Sequence, residues 1–299
     1  MQIKNIYKKK KPIISFEIFP PKKESPVDTI YDTIESLKDL KPDFISVTYG
    51  AGGSTRDKTI EIASLIKNKY YIETLAHLTC ISLTEEKLQK FIEELKENNI
   101  QNIMALRGDL PQNFNEELFQ KSQYKYASDL IKSIKKDDEI CIGGACYPEG
   151  HFECSSLEKD IENLKIKVDS GADFLITQLF FDNESFYRFI DLAYKKGINV
   201  PISAGIMPVT NKKQIERMIS LSGASLPAKF SRIMAKYENN PQALKEAGIV
   251  YATEQIIDLL SWGIDGIHLY TMNRPETVRR IIQNISNIRE ALEYKDNIN

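Results

Sequence analysis

Several charged and amide side chains lie inside short apolar stretches of the sequence, where packing alone gives no reason for them. Glu17 lies in S-F-E-I-F-P-P, Arg107 and Asp109 lie in L-R-G-D-L-P, and Gln178 lies in T-Q-L-F-F. Burying a carboxylate or a guanidinium among apolar side chains is unfavourable unless the charge is paired. A buried amide needs partners for both its donor and its acceptor end. These residues are therefore candidates for contact with a polar ligand, and Gln178 suits a ligand ring.

Glu17 is the candidate for proton transfer. Aromatic residues flank it on both sides, and two prolines that follow stiffen the chain after it. A carboxyl group held among apolar rings is expected to have a raised pKa, which suits a general acid near neutral pH. The alternative is a surface carboxylate in a loop.

The other candidates also have ordinary structural explanations. Arg107 and Asp109 could form an internal ion pair at a turn, and His77 could be a hydrogen-bonded core histidine. The remaining polar candidates could serve strand formation or packing at a rim: Thr48, Tyr147 and Tyr270. Residue type alone therefore leaves both explanations open.

Cys146, His151 and Cys154 lie close enough in sequence to raise a metal site. Zinc sites usually contain C-x-x-C or H-x-x-x-H pairs, whereas these residues follow the uncommon spacing C-x4-H-x2-C. Together with Cys80 and Cys141, the cysteines are also too few and too scattered for a disulfide framework. We therefore expect no metal.

The elements that must position these side chains follow one alternating pattern along the chain. Eight short β-branched runs alternate with amphipathic segments, which predicts parallel βαβ units. Eight such units close into a (β/α)8 TIM barrel. An open doubly wound sheet is the competing α/β fold, but its G-x-G-x-x-G turn after the first strand is absent. The runs begin at Ile13, Asp43, Ile72, Asn102, Glu139, Phe174, Pro201 and Gly266.

Helix signals between the runs support this alternation. Ser82 and Glu85 fit a capping box at the start of one helix. Residues 210–263 exceed one βα unit. We therefore predict an extra helical excursion after the seventh strand, over Pro227 to Glu238, and treat residues 1–12 as an N-terminal extension of the barrel.

Polar residues collect at one end of the predicted strands. In barrels of this type, function lies at the carboxyl ends of the strands, where the βα loops begin. Seven of the eight predicted strands end in side chains that can hydrogen bond or ionise. They are Glu17; Thr48 and Tyr49; His77 and Thr79; Arg107 and Asp109; Tyr147; Gln178; and Tyr270, Asn273 and Arg274.

Composition and charge exclude several functional classes. The 299 residues are 42% apolar and 27% charged, enough for one barrel domain with a full core. A formal charge of −2 gives no electrostatic footprint for nucleic acid or an anionic membrane. No apolar run approaches the roughly 20 residues that cross a bilayer, and the start is a poor secretory signal. We expect a cytoplasmic protein with a small-molecule partner, and a homo-oligomer stays open.

Eight motifs, in order along the chain, resemble the methylenetetrahydrofolate reductase family. They are S-F-E-I-F-P-P, S-V-T-Y-G-A, A-H-L-T-C, L-R-G-D-L-P, Y-P-E-G-H, T-Q-L-F-F-D, G-I-M-P-V-T-N and H-L-Y-T-M-N-R. Each motif alone is weak, but the ordered set is specific and covers nearly the whole chain. The resemblance, which is to the short bacterial form, implies a (β/α)8 barrel with non-covalent FAD. Such a protein reduces 5,10-methylenetetrahydrofolate to 5-methyltetrahydrofolate with NADH or NADPH.

The resemblance also assigns roles to residues. It implies that Glu17 protonates N5 of the folate, that Asp109 contacts the pterin and tunes the flavin, and that Gln178 contacts both the folate and the nicotinamide donor. Positions that bind the folate or the donor fall on Gln214, Met218, Tyr270 and Arg274. Positions that bind FAD fall on Thr48, Tyr49, Ala51, His77, Arg107, Gly108, Asp109, Ala127, Tyr147, His151, Asp160, Asn163 and Lys167.

The sequence departs from the family pattern at three places. Ile166 stands where a bacterial relative has a flavin-contacting arginine, and Met218 replaces an aromatic residue that can stack on the nicotinamide cofactor. The loop over residues 112–125 is longer than in that relative. The rival functions are a barrel aldolase or pterin-handling transferase without flavin, and a non-catalytic binding module. A flavoprotein is yellow, so colour separates the alternatives.

Overall fold

Eight parallel strands form a closed barrel in chain order, with β8 pairing back to β1. The structure is a computed structural model that describes residues 1–21, 28–49, 56–81, 83–108 and 123–296. The strands are β1 (Ile13–Ile18), β2 (Phe44–Val47), β3 (Glu73–Thr79), β4 (Asn102–Leu106), β5 (Cys141–Cys146), β6 (Phe174–Thr177), β7 (Ile202–Ile206) and β8 (Gly266–Tyr270). The predicted (β/α)8 architecture is confirmed.

At least one helix lies between each pair of consecutive strands. Within the described part of the chain, the helices are α1 (Ile3–Lys9), α2 (Asp28–Lys38), α3 (Arg56–Tyr70), α4 (Glu85–Glu97), α5 (Ala127–Ile134), α6 (Leu157–Asp169), α7 (Asn183–Lys195), α8 (Lys212–Ser222), α9 (Ala228–Tyr237), α10 (Pro241–Trp262), α11 (Pro275–Asn284) and α12 (Ser286–Asp296). Helices therefore surround the barrel, as parallel βαβ connections require.

Aromatic side chains fill the amino half of the barrel interior. The rings of Phe44 on β2 and Phe174 on β6 lie 6.3 Å apart, and Tyr7 of α1 lies 5.6 Å from Phe174. Strands β2 and β6 are on opposite sides of the barrel, so their rings can meet only inside it. A ligand can therefore enter the barrel only from the carboxyl end.

Helix α1 closes the amino end of the barrel. Ile3 and Tyr7 are buried, and the Tyr7 hydroxyl lies 2.8 Å from Ser203 Oγ on β7. Lysines of residues 1–12 also form ion pairs with aspartates that precede strands β6, β2 and β8: Lys4 with Asp173, Lys10 with Asp43, and Lys11 with Asp265. The N-terminal extension is thus packed as a plug beneath the strands.

The capping box predicted for Ser82 and Glu85 is wrong. Thr84 caps α4, and its hydroxyl accepts the backbone N–H of Lys87 at 3.3 Å. Glu85 is therefore the first helical residue, and its carboxylate instead accepts a hydrogen bond from the hydroxyl of Tyr124. Ser82 and Thr84 are both of a type that can cap a helix, and the local pattern did not separate them. Ser82 itself lies outside the described residues.

The predicted helical excursion after β7 is confirmed. It contains α8, α9 and α10, and the helix predicted over Pro227 to Glu238 is α9, with those two residues as its caps. These helices bury a separate apolar cluster beside the barrel, formed by Leu179, Phe181, Met207, Val209, Ile215, Ala224, Phe230, Met234 and Leu244.

Helix α10 passes very close to the chain after β7. A Cβ at Gly248 would lie 1.7 Å from the carbonyl oxygen of Val209. We expect Gly248→Ala to lower the free energy of unfolding by about 1–3 kcal/mol, because the overpacking outweighs the better helix propensity of alanine. Chemical denaturation measures this. Val250→Ala, on an exposed side of the same helix, should change stability by no more than about 0.5 kcal/mol. Equal stability of the Gly248→Ala protein would contradict the close approach.

Candidate active site

A cavity of about 340 Å³ opens at the carboxyl ends of the strands. Its volume is at the lower end of the range of about 300–1,000 Å³ that is usual for small-molecule sites. Nine of the site residues predicted from the sequence line it: Glu17, Thr48, His77, Arg107, Gly108, Tyr147, His151, Gln178 and Tyr270. Residues far apart in sequence are therefore brought together at the end of the barrel where function is expected.

Two larger concavities, of about 640 and 620 Å³, lie at the amino ends of the strands. The residues around them, such as Tyr71, Glu139 and Asp173, precede strands in the sequence. Active sites of barrels of this type lie at the opposite end. Volume alone therefore does not identify the site here, and the convergence of titratable groups does.

Glu17 lies on the floor of the cavity between two histidines. Its Oε2 is 3.6 Å from His77 Nε2 and 3.6 Å from His268 Nε2. Glu17 is only 8% exposed. Ser15 Oγ lies 2.7 Å from His268 Nδ1 and orients that ring. This places a buried carboxyl group where it can exchange a proton with a ligand in the cavity.

His77 carries no charge near neutral pH. Burial lowers the pKa of His77 to about 4, although the neighbouring Glu17 acts in the opposite direction. Its Nε2 is buried and has no hydrogen-bond partner among the described residues. An unpaired buried polar atom is unfavourable unless a ligand or an ordered water satisfies it. His77 therefore points to a polar ligand atom at the cavity floor.

The lowered pKa of His77 predicts a loss of stability in acid. The unfolded chain binds a proton at His77 near its ordinary pKa of 6.5, whereas the folded protein does so only near 4. Stability therefore falls as the pH decreases through this window, by about 3 kcal/mol at full extent for this group. In His77→Gln, ligand-free protein should lose less stability between about pH 7 and about pH 5. Urea denaturation at several pH values measures this.

Part of the acid sensitivity should remain in that variant. Burial also lowers the pKa of His151, which acts with the same sign. A pH dependence identical to that of the wild type would show that His77 is not buried as a neutral group.

Gln178 and Tyr270 form one wall of the cavity. Gln178 Oε1 accepts the backbone N–H of Leu179 at 2.9 Å, which leaves its Nε2 as the end available to a ligand. The Tyr270 hydroxyl donates to the carbonyl oxygen of Thr177 at 2.7 Å. A Cβ at Gly205 would lie 2.7 Å from the Tyr270 ring. Gly205 is therefore needed to let the Tyr270 ring lie along this wall.

Arg107 lies on the opposite rim. Its guanidinium donates to both carboxylate oxygens of Glu153, at 2.5 and 2.8 Å, and this pairing holds the pKa of Glu153 below its ordinary value. Three aromatic side chains that also line the cavity contact one another. Tyr147 and His151 make an edge-to-face contact, and His151 stacks on Phe152. The rim therefore combines a guanidinium with a run of aromatic rings.

Helix α6 brings a half-buried cation, Lys167, next to the cavity wall. Lys167 Nζ donates to the carbonyl oxygen of Ala145, a residue that lines the cavity, at 2.5 Å. The side chain passes Gly144, where a Cβ would lie 3.1 Å from Lys167 Cδ. Burial lowers the pKa of Lys167 and raises that of Asp160, which accepts the backbone N–H of His151 at 3.2 Å. An anion in the cavity would stabilise the protonated lysine.

Lys167 and Asp160 are not themselves among the residues that line the cavity, and two other positions on α6 do not reach it either. Asn163 Nδ2 lies 3.7 Å from Cys154 Sγ in the loop after β5. Ile166 is 57% exposed, so the departure from arginine leaves an apolar side chain at the surface. Neither side chain lines the cavity.

The predicted folate positions on α8 and α11 come together beside the cavity. Arg274 donates a hydrogen bond to Thr210 Oγ1, and that hydroxyl contacts Gln214 Oε1 at 3.1 Å. Met218 is half-buried and packs against the cluster under α8 to α10. These three predicted residues do not line the cavity, although Ser222, one turn after Met218, does.

Several predicted positions are not part of the cavity lining. Tyr49 follows β2 and is half-buried, and Ala127 is the buried first residue of α5. Ala51 and Asp109 lie outside the described residues, as does most of the 112–125 loop. Their predicted roles stay predictions.

Among the lining residues that sequence reasoning missed, two matter most for the site: His268 and Phe152. His268 lies two residues before Tyr270 on β8, so the period of two in a strand could have placed both side chains in the interior. Phe152 follows His151 in a loop, and nothing in the local sequence places its ring at the cavity. Loop conformation has no sequence period, so the direction of a loop side chain is known only from the structure.

Two negative findings apply to the described part of the chain. It contains no group of three or more His, Cys, Asp or Glu side chains that could hold a metal ion. None of its helices combines the length and the apolar character needed to span a bilayer.

Comparison with known proteins gives a family match over nearly the whole chain. The model of the family described as methylenetetrahydrofolate reductase matches residues 2–286. The 5,10-methylenetetrahydrofolate reductase of Escherichia coli (strain K12) is 38% identical over 263 residues, which cover 88% of this chain and 87% of that protein. Methylenetetrahydrofolate reductase (NADH) 1 of Arabidopsis thaliana is 37% identical over 301 residues, 97% of this chain and 51% of that protein.

The chain spans about half the length of the plant and Schizosaccharomyces pombe relatives it matches. A solved structure described as an uncharacterized protein from Clostridium thermocellum that binds two copies of 5-methyl-5,6,7,8-tetrahydrofolic acid superposes with a TM-score of 0.66. It is 18% identical and covers 97% of this chain and 100% of that chain, a likeness of fold. The family match and the identity to relatives of similar length show that this chain belongs to the methylenetetrahydrofolate reductase family.

Proposed function

We propose that this protein reduces 5,10-methylenetetrahydrofolate to 5-methyltetrahydrofolate, with non-covalent FAD as the cofactor and NADH or NADPH as the electron donor. The observation that carries the proposal is the buried Glu17 carboxyl group on the cavity floor, with His77 and His268 beside it, in a chain of this family. The bacterial relatives are named for this folate, and the Arabidopsis relative is named for NADH.

The residues around the cavity fit a flavin dinucleotide. The guanidinium of Arg107 lines the cavity, and the half-buried ammonium group of Lys167 donates to Ala145, which also lines it. Both cations suit a pyrophosphate. The unpaired Nε2 of His77 offers a polar contact to a ring edge. When bound here, FAD would supply hydride transfer between the nicotinamide and the folate. The apolar surface that a planar ring needs is provided by Met104, Leu106 and Ile176.

Glu17 supplies the proton in this proposal. It protonates N10 of the folate rather than N5, because the 5-methyl product requires the bond between the methylene carbon and N10 to break. The carbon then stays on N5 as an iminium, which accepts the hydride. His77 is rarely protonated near neutral pH, because burial lowers its pKa to about 4, so it does not replace Glu17 as the acid. Gln178 donates through Nε2 to the folate or to the nicotinamide, because its Oε1 is already engaged.

Residues beside the cavity bind the rest of the folate. Tyr270 lies along the wall, and Gln214 and Arg274 are held together through Thr210. An arginine suits the carboxylates of a folate tail. Asp109, which the sequence places just after Arg107 and Gly108, contacts the pterin in this proposal.

Flavin loading and half-reaction spectra test the proposal. The purified protein should bind FAD stoichiometrically, lose its visible flavin absorbance on anaerobic mixing with NADH or NADPH, and regain it with methylenetetrahydrofolate. The donor that bleaches the flavin faster at equal concentration is the preferred one. A protein that cannot be reconstituted with FAD would contradict the proposal. A reduced flavin that methylenetetrahydrofolate does not reoxidise would contradict the choice of substrate.

A further inference from the structure

Phe152 exposes an aromatic ring at the mouth of the cavity. Its side chain is 67% exposed. Single exposed apolar residues are common on protein surfaces. Of the exposed large hydrophobic side chains in the described ranges, however, only Phe152 also lines this cavity. The exposure of Phe152 therefore needs an explanation, whereas that of Tyr194 or Tyr237, which lie outside the cavity, does not.

The backbone on both sides of Phe152 is held in place. Cys154 donates its N–H to the carbonyl oxygen of His151 at 2.8 Å, and Glu153 donates its N–H to His151 Nδ1 at 3.2 Å. His151 itself donates its N–H to Asp160 Oδ2 at 3.2 Å. The ring is therefore presented from a closed turn, so that little conformational entropy is lost when a ligand covers it.

One face of the Phe152 ring is already used. It stacks on His151 with a centroid distance of 4.7 Å and an interplanar angle of 23°. The large exposed fraction leaves the opposite face open to the cavity mouth. Aromatic rings prefer offset-stacked or edge-to-face contacts with other rings. A planar ring of a ligand would extend this stack by one layer.

The Phe152 side chain begins next to the end of α8. The Phe152 Cβ is 3.5 Å from where a Cβ at Gly223 would lie, and Ser222 lines the cavity. Ser222 donates through its hydroxyl to the carbonyl oxygen of Met218 at 2.8 Å, one helical turn earlier. On this side of the mouth, Phe152 therefore provides the aromatic surface that α8, with methionine at position 218, does not.

We infer that Phe152 is a binding residue that stacks on a planar ring of a bound dinucleotide, the adenine or the nicotinamide ring. This inference rests on the proposed function. Both FAD and NAD(P)H carry an adenine ring, and NAD(P)H also carries the nicotinamide ring. Separate binding measurements with FAD and with NAD(P)H show which ligand Phe152 contacts.

The test uses Phe152→Leu, which keeps apolar bulk without an aromatic face, and Phe152→Trp, which enlarges that face. In the first arm, FAD is titrated into apoprotein and followed by flavin fluorescence. In the second, FAD-saturated enzyme is bleached anaerobically at increasing NADH and NADPH concentrations.

We expect Phe152→Leu to weaken the binding of one of these ligands about 2- to 10-fold, as loss of a stacked pair implies. The bleaching rate at saturating donor should stay unchanged. Phe152→Trp should bind that ligand as tightly as wild type or more tightly.

A matched control is Tyr194→Leu, because Tyr194 is 71% exposed and lies outside the cavity. It should change neither arm. If Phe152→Leu and Phe152→Trp weaken ligand binding equally, the residue only packs the turn, and the stacking role is overturned. Wild-type affinity of Phe152→Leu for both ligands would also overturn it. A wild-type protein that binds neither FAD nor a nicotinamide donor would overturn the proposed function together with this inference.

Discussion

Glu17→Gln is expected to separate the two half-reactions. Hydride transfer from the nicotinamide to the flavin needs alignment but no acid, so the variant should bind FAD and be bleached at close to the wild-type rate. Reduction of the methylene folate needs a proton at N10, the nitrogen that leaves the methylene carbon. Loss of a positioned acid costs about 10²- to 10⁴-fold, so reoxidation by methylenetetrahydrofolate should be at least about 100-fold slower. Stopped-flow absorbance measures both steps.

The surroundings of Glu17 make glutamine a clean replacement. The side chain is almost fully buried, with two histidine nitrogens at 3.6 Å, and glutamine keeps its size without the acidic proton. Glu73→Gln, at the amino end of β3, is a control for removal of a carboxylate elsewhere in the barrel and should leave reoxidation unchanged. Nearly normal reoxidation of the Glu17→Gln enzyme would exclude Glu17 as the acid, and Asp109 or a bound water would have to take that role.

Lys167→Met is expected to weaken FAD binding about 10- to 100-fold, since a hydrogen bond to a charged group contributes about 1.5–3 kcal/mol. The Lys167 side chain is half-buried and forms no ion pair with a carboxylate within the described residues, although the nearby Asp160 carboxylate acts to raise its pKa. A ligand phosphate would supply the missing counter-charge. Titration of apoprotein with FAD, followed by flavin fluorescence, measures the change in affinity.

The apoprotein of Lys167→Met should stay folded, because methionine has a similar length and removes a charge that is unfavourable to bury. Lys165→Met on the same helix is the matched control. Lys165 is paired with Asp169 near the surface, and its loss should leave FAD affinity unchanged. Wild-type FAD affinity in Lys167→Met would show that this lysine only supports the Ala145 carbonyl.

The barrel and the end of it that carries the site could be predicted from the sequence. Each predicted run of β-branched residues contains one of the eight strands, because alternation and turn residues are local preferences. The helical excursion followed from the length of residues 210–263. The cap of α4 was wrong because a shift of two residues, from Ser82 to Thr84, changes little in the local pattern.

The contacts within the site could be predicted only in part. The need of Gln178 for two partners was read as two ligand contacts, but its own neighbour Leu179 satisfies the acceptor end. An ion pair between Arg107 and Asp109 was considered because the two residues are close in sequence. In the structure Arg107 pairs with Glu153, from the next βα loop. Partners from different loops leave no signal in one sequence.

The sequence by itself determined which strand ends carry polar side chains at the carboxyl end of the barrel, because turn residues mark where the strands stop. Glu17, His77 and Gln178 were found in this way, whereas His268 was not. Only the tertiary structure decided that Glu17 meets both His77 and His268 at 3.6 Å, and that Phe152 faces the cavity mouth. Those contacts depend on closure of β1 against β8 and on loop paths, which join residues that no local preference connects.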